Sequence, residues 1–397
     1  MKNYLHIFVM AILAISISIL VQSCTSDRES GDFKEYIYVG TFQGEGSEGL
    51  YVFQFDRITG MLNHIQTVTD RMGPNFQAIH PNGQFLYSVS DDHFTDDEPY
   101  GTLSAYKIDR ATGQLQLLNE QSVNGRGTAH VSVDPLGKYI YVSNYSEGNV
   151  VMYGIESSGA VTRALDIKQH EGSSIREDRQ RAPHVHSVYP SEDGSFIYVS
   201  DLGIDQIRIY RVDRENGKMI PATPPAFMNE PGSGPRHFTI HPNGIFAYSV
   251  EELSVTVAAL KVDRDSGLLE QFQRISLLPE GIEVERSMSA ADIHISPDGL
   301  FLYASVRGEN LISIFDIDQA TGQLNVVGHE STIGGHPRNF MVDERGEFLL
   351  VANRDNDHVL SFRRDRESGE LSFTGSETEV PIAVCVTQLI VEEQVVQ

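Results

Sequence analysis

Short runs of apolar residues, each built around an aromatic or leucine position, recur along the chain at a nearly constant interval. The seven copies are Tyr36–Gly40, Phe85–Val89, Tyr139–Ser143, Phe196–Ser200, Phe246–Val250, Phe301–Ser305 and Phe348–Ala352. Their third residues stand at positions 38, 87, 141, 198, 248, 303 and 350, which are 47 to 57 residues apart. Such runs are typical of buried strands, and a repeat of roughly 50 residues is the size of a four-stranded propeller blade.

Two turn phrases alternate with the strand copies. The phrase Asp-x-x-(Thr/Ser/Asn)-Gly-x-(Leu/Met) occurs at Asp56–Leu62, Asp109–Leu115, Asp213–Met219, Asp263–Leu269, Asp318–Leu324 and Asp365–Leu371. A Pro-x-Gly turn precedes four strand copies, at Pro81–Gly83, Pro135–Gly137, Pro242–Gly244 and Pro297–Gly299. Because glycine permits the positive φ of tight turns, the first phrase predicts the hairpin between the two outer strands of a blade. The second predicts the turn between its first and second strands.

The two ends of the repeat region complement each other. A strand such as Arg236–His241 precedes the later copies, but the copy at Tyr36 lacks one, and an orphan strand, Pro381–Leu389, stands at the far end. We therefore predict an all-β fold over residues 36–390, a seven-bladed β-propeller of four-stranded antiparallel blades. Its C-terminal strand joins the N-terminal blade, which hides the edges of an open ring, and residues 391–397 form a tail.

Composition and charge narrow the class of protein. The chain has 397 residues, 40% of them hydrophobic, with 34 glycines and 16 prolines, which suits a large core with many turns. The formal net charge of −25 argues against a nucleic-acid partner, which needs a basic surface. Two cysteines, Cys24 and Cys385, are too few for a disulfide scaffold or a cysteine-based zinc site.

The first 23 residues have the pattern of an export signal. A single charged residue, Lys2, is followed by a mostly apolar stretch from Ile7 to Val21, which is short for a membrane span and suits a secretory signal. It ends at Ser23-Cys24 and resembles a bacterial lipobox. We expect Cys24 to carry lipid after cleavage, residues 24–35 to form a flexible tether, and the protein to be anchored to the cell envelope, on the periplasmic or outer-membrane face.

Candidate site residues were sought where one repeat departs from the others. Stepping back six residues from the turn position that most blades fill with proline gives Asn75, Ala129, His184, Arg236, Ala291 and Arg338. Four residues after the repeated aromatic position stand Phe42, Asp91, Tyr145, Leu202, Glu252, Arg307 and Arg354. Side chains in a strand alternate between its two faces, so the residues of each set lie on equivalent faces of their strands. We expect these two layers of residues to meet at one mouth of the central channel.

Arginines are frequent in these two layers although the chain is acidic. They are Arg236, Arg307, Arg338 and Arg354, and Glu252 and His184 lie among them. Because a guanidinium offers paired donors to carboxylate or phosphate, the pattern predicts a site for a small anionic ligand. His184 and His186 share a strand face, but no third ligand stands at a telling spacing, so no metal is expected. The polar insertion 168–182 is a long loop that serves either as a lid or as surface decoration.

Several motifs together resemble a known family. They are Gly234-Pro235-Arg236-His237-Phe238 with His241-Pro242, Glu251-Glu252-Leu253, Ala290-Ala291-Asp292-Ile293-His294 and Tyr141-Val142-Ser143-Asn144-Tyr145. They are similar to the seven-bladed propeller lactonases, whose members include bacterial propeller-type 6-phosphogluconolactonases and fungal carboxymuconate cyclases. The resemblance implies a cofactor-free site. It also implies catalytic roles for His184, Arg236, Glu252 and Arg307, and Asn144, His237 and Arg338 match motif positions around them. Together with His186 and Arg354, which the strand positions select, these three are expected to contact substrate.

The residue types suit the opening of a lactone ring. Either Glu252 or His184 can act as the general base, Arg236 can stabilise the oxyanion or the product carboxylate, and Arg307 can bind the substrate anion. The expected substrate is a small anionic sugar-acid lactone acted on by a monomer. Two alternatives stay open: a muconate-type cycloisomerase, which runs lactone closure at the same constellation, and a non-catalytic propeller that serves as a binding platform.

Overall fold

The computed structural model describes residues 33–92 and 100–392, which form seven four-stranded antiparallel sheets. The sheets are the blades of a β-propeller, so the predicted fold class is confirmed. Cys24, the signal segment 1–23 and residues 393–397 lie outside the described residues. Within the described part of the chain, no helix has the length and apolarity that a membrane crossing requires.

The strands follow one another in chain order around the ring. Blade 1 contains β1 (Phe33–Thr41), β2 (Leu50–Asp56), β3 (Met61–Val68) and β28 (Ala383–Glu392). Blade 2 contains β4 (Pro74–Ile79), β5 (Phe85–Ser90), β6 (Thr102–Ile108) and β7 (Leu115–Ser122), and blade 3 contains β8 (Thr128–Val133), β9 (Tyr139–Asn144), β10 (Asn149–Ile155) and β11 (Val161–Gln169). Blade 4 contains β12 (Val185–Pro190), β13 (Phe196–Asp201), β14 (Gln206–Asp213) and β15 (Lys218–Met228).

The remaining three blades repeat this plan. Blade 5 contains β16 (Pro235–Ile240), β17 (Phe246–Glu251), β18 (Thr256–Val262) and β19 (Leu269–Ser276). Blade 6 contains β20 (Ser289–Ile295), β21 (Phe301–Arg307), β22 (Leu311–Ile317) and β23 (Leu324–Ser331), and blade 7 contains β24 (Pro337–Val342), β25 (Phe348–Asn353), β26 (His358–Arg364) and β27 (Leu371–Glu379). Two short 3₁₀ turns, Leu202–Ile204 and Arg354–Asn356, follow β13 and β25.

The last strand of the ring completes the first blade. β28 pairs antiparallel with β1 from Phe33↔Glu392 to Thr41↔Ala383, as the orphan strand predicted. Both strands are longer than expected: β1 begins at Phe33, inside the segment assigned to the tether, and β28 runs to Glu392, inside the assigned tail. The extensions exist because residues 33–35 and 390–392 pair with each other. Cys385 lies buried in β28, where burial raises the pKa of its thiol to about 12.

The hydrophobic core lies between the blades. The described residues contain seven clusters of buried apolar side chains, one at each junction between neighbouring blades. Alternate residues of a second strand enter different clusters: Ile37 packs against blade 7, and Tyr38 packs against blade 2. Both faces of these strands are therefore buried, which explains why the repeated phrases are apolar throughout.

The two repeated sequence phrases bond to each other across the junctions. At four junctions, the repeated tyrosine of one blade donates its hydroxyl to a hairpin-turn carbonyl of the next blade. The bonds are Tyr38 Oη to Gly113 O at 3.0 Å, Tyr87 Oη to Gly159 O at 3.1 Å, Tyr248 Oη to Gly322 O at 2.8 Å and Tyr303 Oη to Gly369 O at 2.8 Å. At the junction of blades 7 and 1, where Leu350 replaces the tyrosine, Ser361 Oγ donates to Gly60 O at 2.8 Å.

Candidate active site

A cavity of about 670 Å³ opens at one end of the channel. It lies where the inner strands begin and the second strands end, as the two sequence layers predicted. Its lining includes Phe42, Asn75, Phe76, Asp91, Ala129, Tyr145, Arg179, His186, Arg236, His237, Glu252, Arg307, Arg338, Asn339 and Arg354.

Glu252 is the centre of the cationic wall of this cavity. Its carboxylate follows β17 and is 4% exposed. Oε2 lies 3.0 Å from Arg236 Nε and 3.0 Å from Arg307 Nη2, and Oε1 accepts a hydrogen bond from Arg179 Nη2 at 2.6 Å. Blades 5 and 6 and the segment before blade 4 therefore converge on one carboxylate.

The backbone fixes the two deeper arginines. Arg236 Nη1 donates to Ala291 O, and Arg307 Nη2 donates to Ala290 O at 2.6 Å, so both side chains are tied to the start of β20. Burial beside Arg307 lowers the pKa of Arg236 to about 10. Burial alone would raise the pKa of Glu252, but the charges of the three guanidiniums outweigh it and hold this pKa well below its usual value of 4.5.

The cations of this wall outnumber its carboxylates. Three guanidiniums share Glu252, and Arg354 pairs with Asp355 at 2.7 Å. Arg338 packs over the ring of Phe42 at 4.7 Å, and no described carboxylate lies within ion-pair distance of it. Burial and the neighbouring arginines lower the pKa of Arg338 well below its ordinary value. An anion in the cavity would offset this excess of positive charge.

His186 brings a neutral imidazole to the same cavity. Its ring is buried between Tyr145 and His237, with ring centroids 5.5 Å and 5.3 Å away, and Nδ1 has no hydrogen-bond partner among the described residues. Burial and the charge of Arg236 lower the pKa of His186 well below 6.5. The ring is therefore unprotonated at neutral pH and can accept a proton.

His237 and Asp292 form a buried pair under the cavity. His237 Nδ1 lies 2.6 Å from Asp292 Oδ1, and burial lowers the pKa of this imidazole to about 4. Asp292 also lies 3.0 Å from His294 Nε2 and accepts from Asn339. The carboxylate thus fixes the Nδ1–H tautomer of His237 and leaves Nε2 as a buried acceptor with no hydrogen-bond partner among the described residues.

The alignment that selected His184 is wrong by two residues. Val185 pairs with Asp201 in blade 4 as Pro235 pairs with Glu251 in blade 5, so His186 is the structural equivalent of Arg236. The two-residue offset arises because Pro190 ends β12, and Glu192 fills the position in blade 4 that proline fills in most other blades. His184 does not line the cavity; its ring stacks on Tyr145 at 4.4 Å, and Nδ1 lies 3.1 Å from Tyr145 O.

Asn144, expected to contact substrate, is fully buried away from the cavity. Its amide donates to Val123 O at 2.9 Å and to Asn149 Oδ1 at 2.8 Å, and its Oδ1 accepts from Thr128 Oγ1 at 3.0 Å. These contacts stabilise the connection between blades 2 and 3. The other residues predicted for the site, His186, Arg236, His237, Glu252, Arg307, Arg338 and Arg354, all line the cavity.

Arg179 was missed as a site residue because it has no counterpart in the repeat. It lies on the insertion before blade 4, so a comparison of equivalent positions cannot select it. The length and polarity of the insertion were the only available signal.

Among the described residues no group of three His, Cys, Asp or Glu side chains is arranged to hold a metal ion.

Fold and site together define a β-propeller with a cationic small-molecule cavity at its channel mouth. The chain belongs to the lactonase family of seven-bladed β-propellers, whose family model matches residues 36–388. A 6-phosphogluconolactonase of Formosa agariphila is 36% identical over 340 residues, which are 84% of this chain and 94% of that protein. A 6-phosphogluconolactonase of Bacillus subtilis is 32% identical and covers 88% of this chain and 97% of its own.

A solved structure extends the comparison. The periplasmic gluconolactonase of Pseudomonas aeruginosa superimposes with a TM-score of 0.84 at 30% identity, covering 90% of this chain and 99% of that one. These relatives support a lactonase function, that is, a hydrolase acting on lactones.

Proposed function

We propose that this protein hydrolyses a small anionic sugar-acid lactone, similar to 6-phosphogluconolactone, in the cavity at the channel mouth. The observation that carries the proposal is the excess of guanidinium groups beside a neutral imidazole in one cavity. Arg338, which has no described acidic partner, supplies an anchor for a carboxylate or phosphate.

His186 is the group best suited to be the general base. Both carboxylate oxygens of Glu252 are occupied by guanidiniums, so this group is not available to take a proton from water. His186 lines the cavity, and burial together with the charge of Arg236 keeps its imidazole unprotonated at neutral pH. In this scheme it takes a proton from the attacking water and returns it to the ring oxygen when the carbonyl carbon–oxygen bond of the ring breaks.

Arg236 and Arg307 provide the positive charge for the oxyanion. Both are held by backbone carbonyls of blade 6 and by Glu252, so their guanidiniums are oriented before substrate binds. Preorganised donors of this kind lower the barrier where negative charge develops. Glu252 then acts as the group that orients them, and the product is an open-chain hydroxy acid.

Replacing Glu252 with Gln is expected to lower kcat/KM by about 10²-fold, because the oxyanion donors lose their common partner. Removing one partner of a buried ion pair also costs about 3–5 kcal/mol of stability, so Tm should fall at neutral pH. The folded-state pKa of Glu252 is depressed, so its contribution to stability is present above pH 4.5 and is lost as the pH falls through that lower pKa. Thermal melts of both proteins from pH 7 to pH 3 should converge toward the acid end; melts that stay parallel would contradict this role.

A panel of sugar-acid lactones, phosphorylated and unphosphorylated, tests the reaction itself. Spontaneous hydrolysis is subtracted, and each assay is repeated with a chelator, which is expected to change nothing because no metal-binding group of three side chains was found among residues 33–92 and 100–392. Turnover above background supports the lactonase. If wild type never exceeds background, the binding-platform alternative replaces it.

We also propose that the protein is exported and lipid-anchored through Cys24, on the strength of the sequence pattern before it. Mass spectrometry of protein extracted from membranes is expected to show loss of residues 1–23 and an acylated Cys24. A Cys24→Ala variant should leave the membrane fraction. Recovery of soluble wild-type protein with Met1 intact would overturn the proposal.

A further inference from the structure

One connection between blades contributes a side chain, that of Arg179, to the cavity wall. Residues 170–184, between β11 and β12, are the longest inter-blade connection in the described chain, and 277–288 is the next longest. The segment leaves blade 3, enters blade 4 and carries Arg179 to Glu252 of blade 5. It is therefore placed to contact a ligand that no repeat position reaches.

The segment is anchored to the scaffold by Asp205. Gln180 is fully buried and donates to Leu202 O and Asp205 Oδ1, each at 2.8 Å, and Ser174 Oγ donates to Asp205 Oδ2 at 2.5 Å. The same carboxylate accepts from the backbone of Gly234 at 2.7 Å, two residues before Arg236. One buried acid thus sets the positions of the segment and of the strand that holds Arg236.

The side chain of Arg179 is more exposed and has fewer anchoring contacts than Arg236 and Arg307, the other two arginine partners of Glu252. Its side chain is 35% exposed, whereas Arg236 and Arg307 are 2% and 8% exposed. The described hydrogen-bond partners of its guanidinium are Glu252 Oε1 at 2.6 Å and Tyr145 Oη at 3.3 Å, and neither is a backbone carbonyl. If Arg179 moves away, the carboxylate of Glu252 still has two guanidiniums at 3.0 Å.

We propose that Arg179 determines specificity by exchanging Glu252 for a second anionic group of the substrate, a phosphate or a carboxylate remote from the reacting carbonyl. The proposal rests on the lactone hydrolysis proposed above. Arg236 and Arg307 stay with Glu252 and serve the reacting carbonyl. Among the three guanidiniums on Glu252, Arg179 is the one that can turn to the remote group and add to the anchor that Arg338 supplies, since Glu252 then keeps two partners.

Kinetics with three lactones test this role: uncharged glucono-1,5-lactone, its 6-phosphate, and glucaro-1,4-lactone, which carries a carboxylate. Arg179→Gln is expected to raise KM for the anionic lactones by about 10–100-fold, the size of a lost charge-assisted hydrogen-bond pair. The rise in KM for uncharged glucono-1,5-lactone should be smaller by about tenfold, since no contact with a remote anion is lost there. Arg179→Lys should recover part of the affinity, because it keeps the charge and loses the planar fork.

Arg181→Gln is the matched control. Arg181 is exposed on the same segment, carries the same charge and does not line the cavity, so all three substrates should behave as with wild type. An effect confined to the phosphate or to the carboxylate would identify the remote group. Equal losses on charged and uncharged lactones with Arg179→Gln would overturn the specificity role.

Equilibrium binding separates this inference from the reaction. Calorimetry with 6-phosphogluconate and gluconate compares two ligands that differ in the remote phosphate. Wild type is expected to prefer 6-phosphogluconate, and Arg179→Gln is expected to lose that preference. A preference that survives in Arg179→Gln overturns the inference for phosphate, whether or not any lactone is hydrolysed; a protein that binds with this preference and hydrolyses no lactone fails only the proposed function.

Discussion

Replacing His186 with Ala is expected to lower kcat for lactone hydrolysis by about 10²–10⁴-fold, the usual contribution of a general base. The imidazole lines the cavity, is unprotonated at neutral pH and has an unpaired Nδ1, so its removal takes away the proton acceptor without breaking a described side-chain hydrogen bond. Stopped-time product assays on purified protein, with circular dichroism to confirm folding, provide the measurement.

The pH profile gives this prediction a second readout. Because burial and Arg236 lower the pKa of His186 below 6.5, the acid limb of kcat/KM should lie below pH 6.5 in wild type. That limb should persist in Glu252→Gln and disappear from the residual activity of His186→Ala. His184→Ala is the neighbouring control and should cost far less activity, because His184 lies outside the cavity. A larger loss from His184→Ala than from His186→Ala would refute the assignment.

Deleting residues 380–397 is expected to abolish the cooperative unfolding transition of the whole propeller. β28 pairs with β1 along its length and supplies apolar side chains to the junctions of blade 1 with blade 7 and with blade 2. Asn339 Oδ1 of blade 7 also accepts from the backbone of Val386 at 2.7 Å. The deletion therefore uncovers an edge of β1 and opens two core clusters at once.

Removal of residues 393–397 alone is the matched control. These residues follow β28 in the sequence, so the shorter deletion should keep the wild-type Tm. Calorimetric melts of the two truncated proteins are compared with that of the full chain. A normal melting transition in the 380–397 deletion would show that closure by β28 contributes little to stability.

The fold was predictable because the sequence pattern of one blade occurs seven times along the chain. The repeated tyrosines and turn glycines recur at similar spacings, and the hydroxyl of a residue such as Tyr38 reaches the turn carbonyl of Gly113 in the next blade. The missing and orphan strands at the two ends predicted the closure. The strand ends were less predictable, because pairing of Phe33 with Glu392 depends on a partner more than 350 residues away.

The site was predictable only as far as the repeat register was read correctly. Arg236, Glu252, Arg307 and Arg338 occupy repeat positions and line the cavity as expected. In blade 4 the proline at 190 is not the turn residue, and this shifted the choice of histidine from 186 to 184.

Residues outside the repeat have no equivalent position in the other blades that could reveal them. Arg179 reaches the site through a segment whose course is set by buried hydrogen bonds to Asp205. Those bonds join parts of the chain that no local pattern relates. Asn144 shows the opposite error: a polar residue beside the site whose amide is used within the scaffold.

The bonds between blades also imply an order of assembly. Tyr38 and Gly113 are 75 residues apart in the sequence, whereas the closing contact of Gln388 with Glu35 spans 353. The entropy of loop closure grows by about 0.6 kcal/mol for each doubling of length, so the final contact costs only about 1–1.5 kcal/mol more than a junction between neighbours. The closing contact is expected to form more slowly than the others, because contacts between residues far apart in the sequence form slowly. Blades 2 to 7 can dock on one another in chain order, whereas the first blade remains three-stranded until β28 pairs with β1.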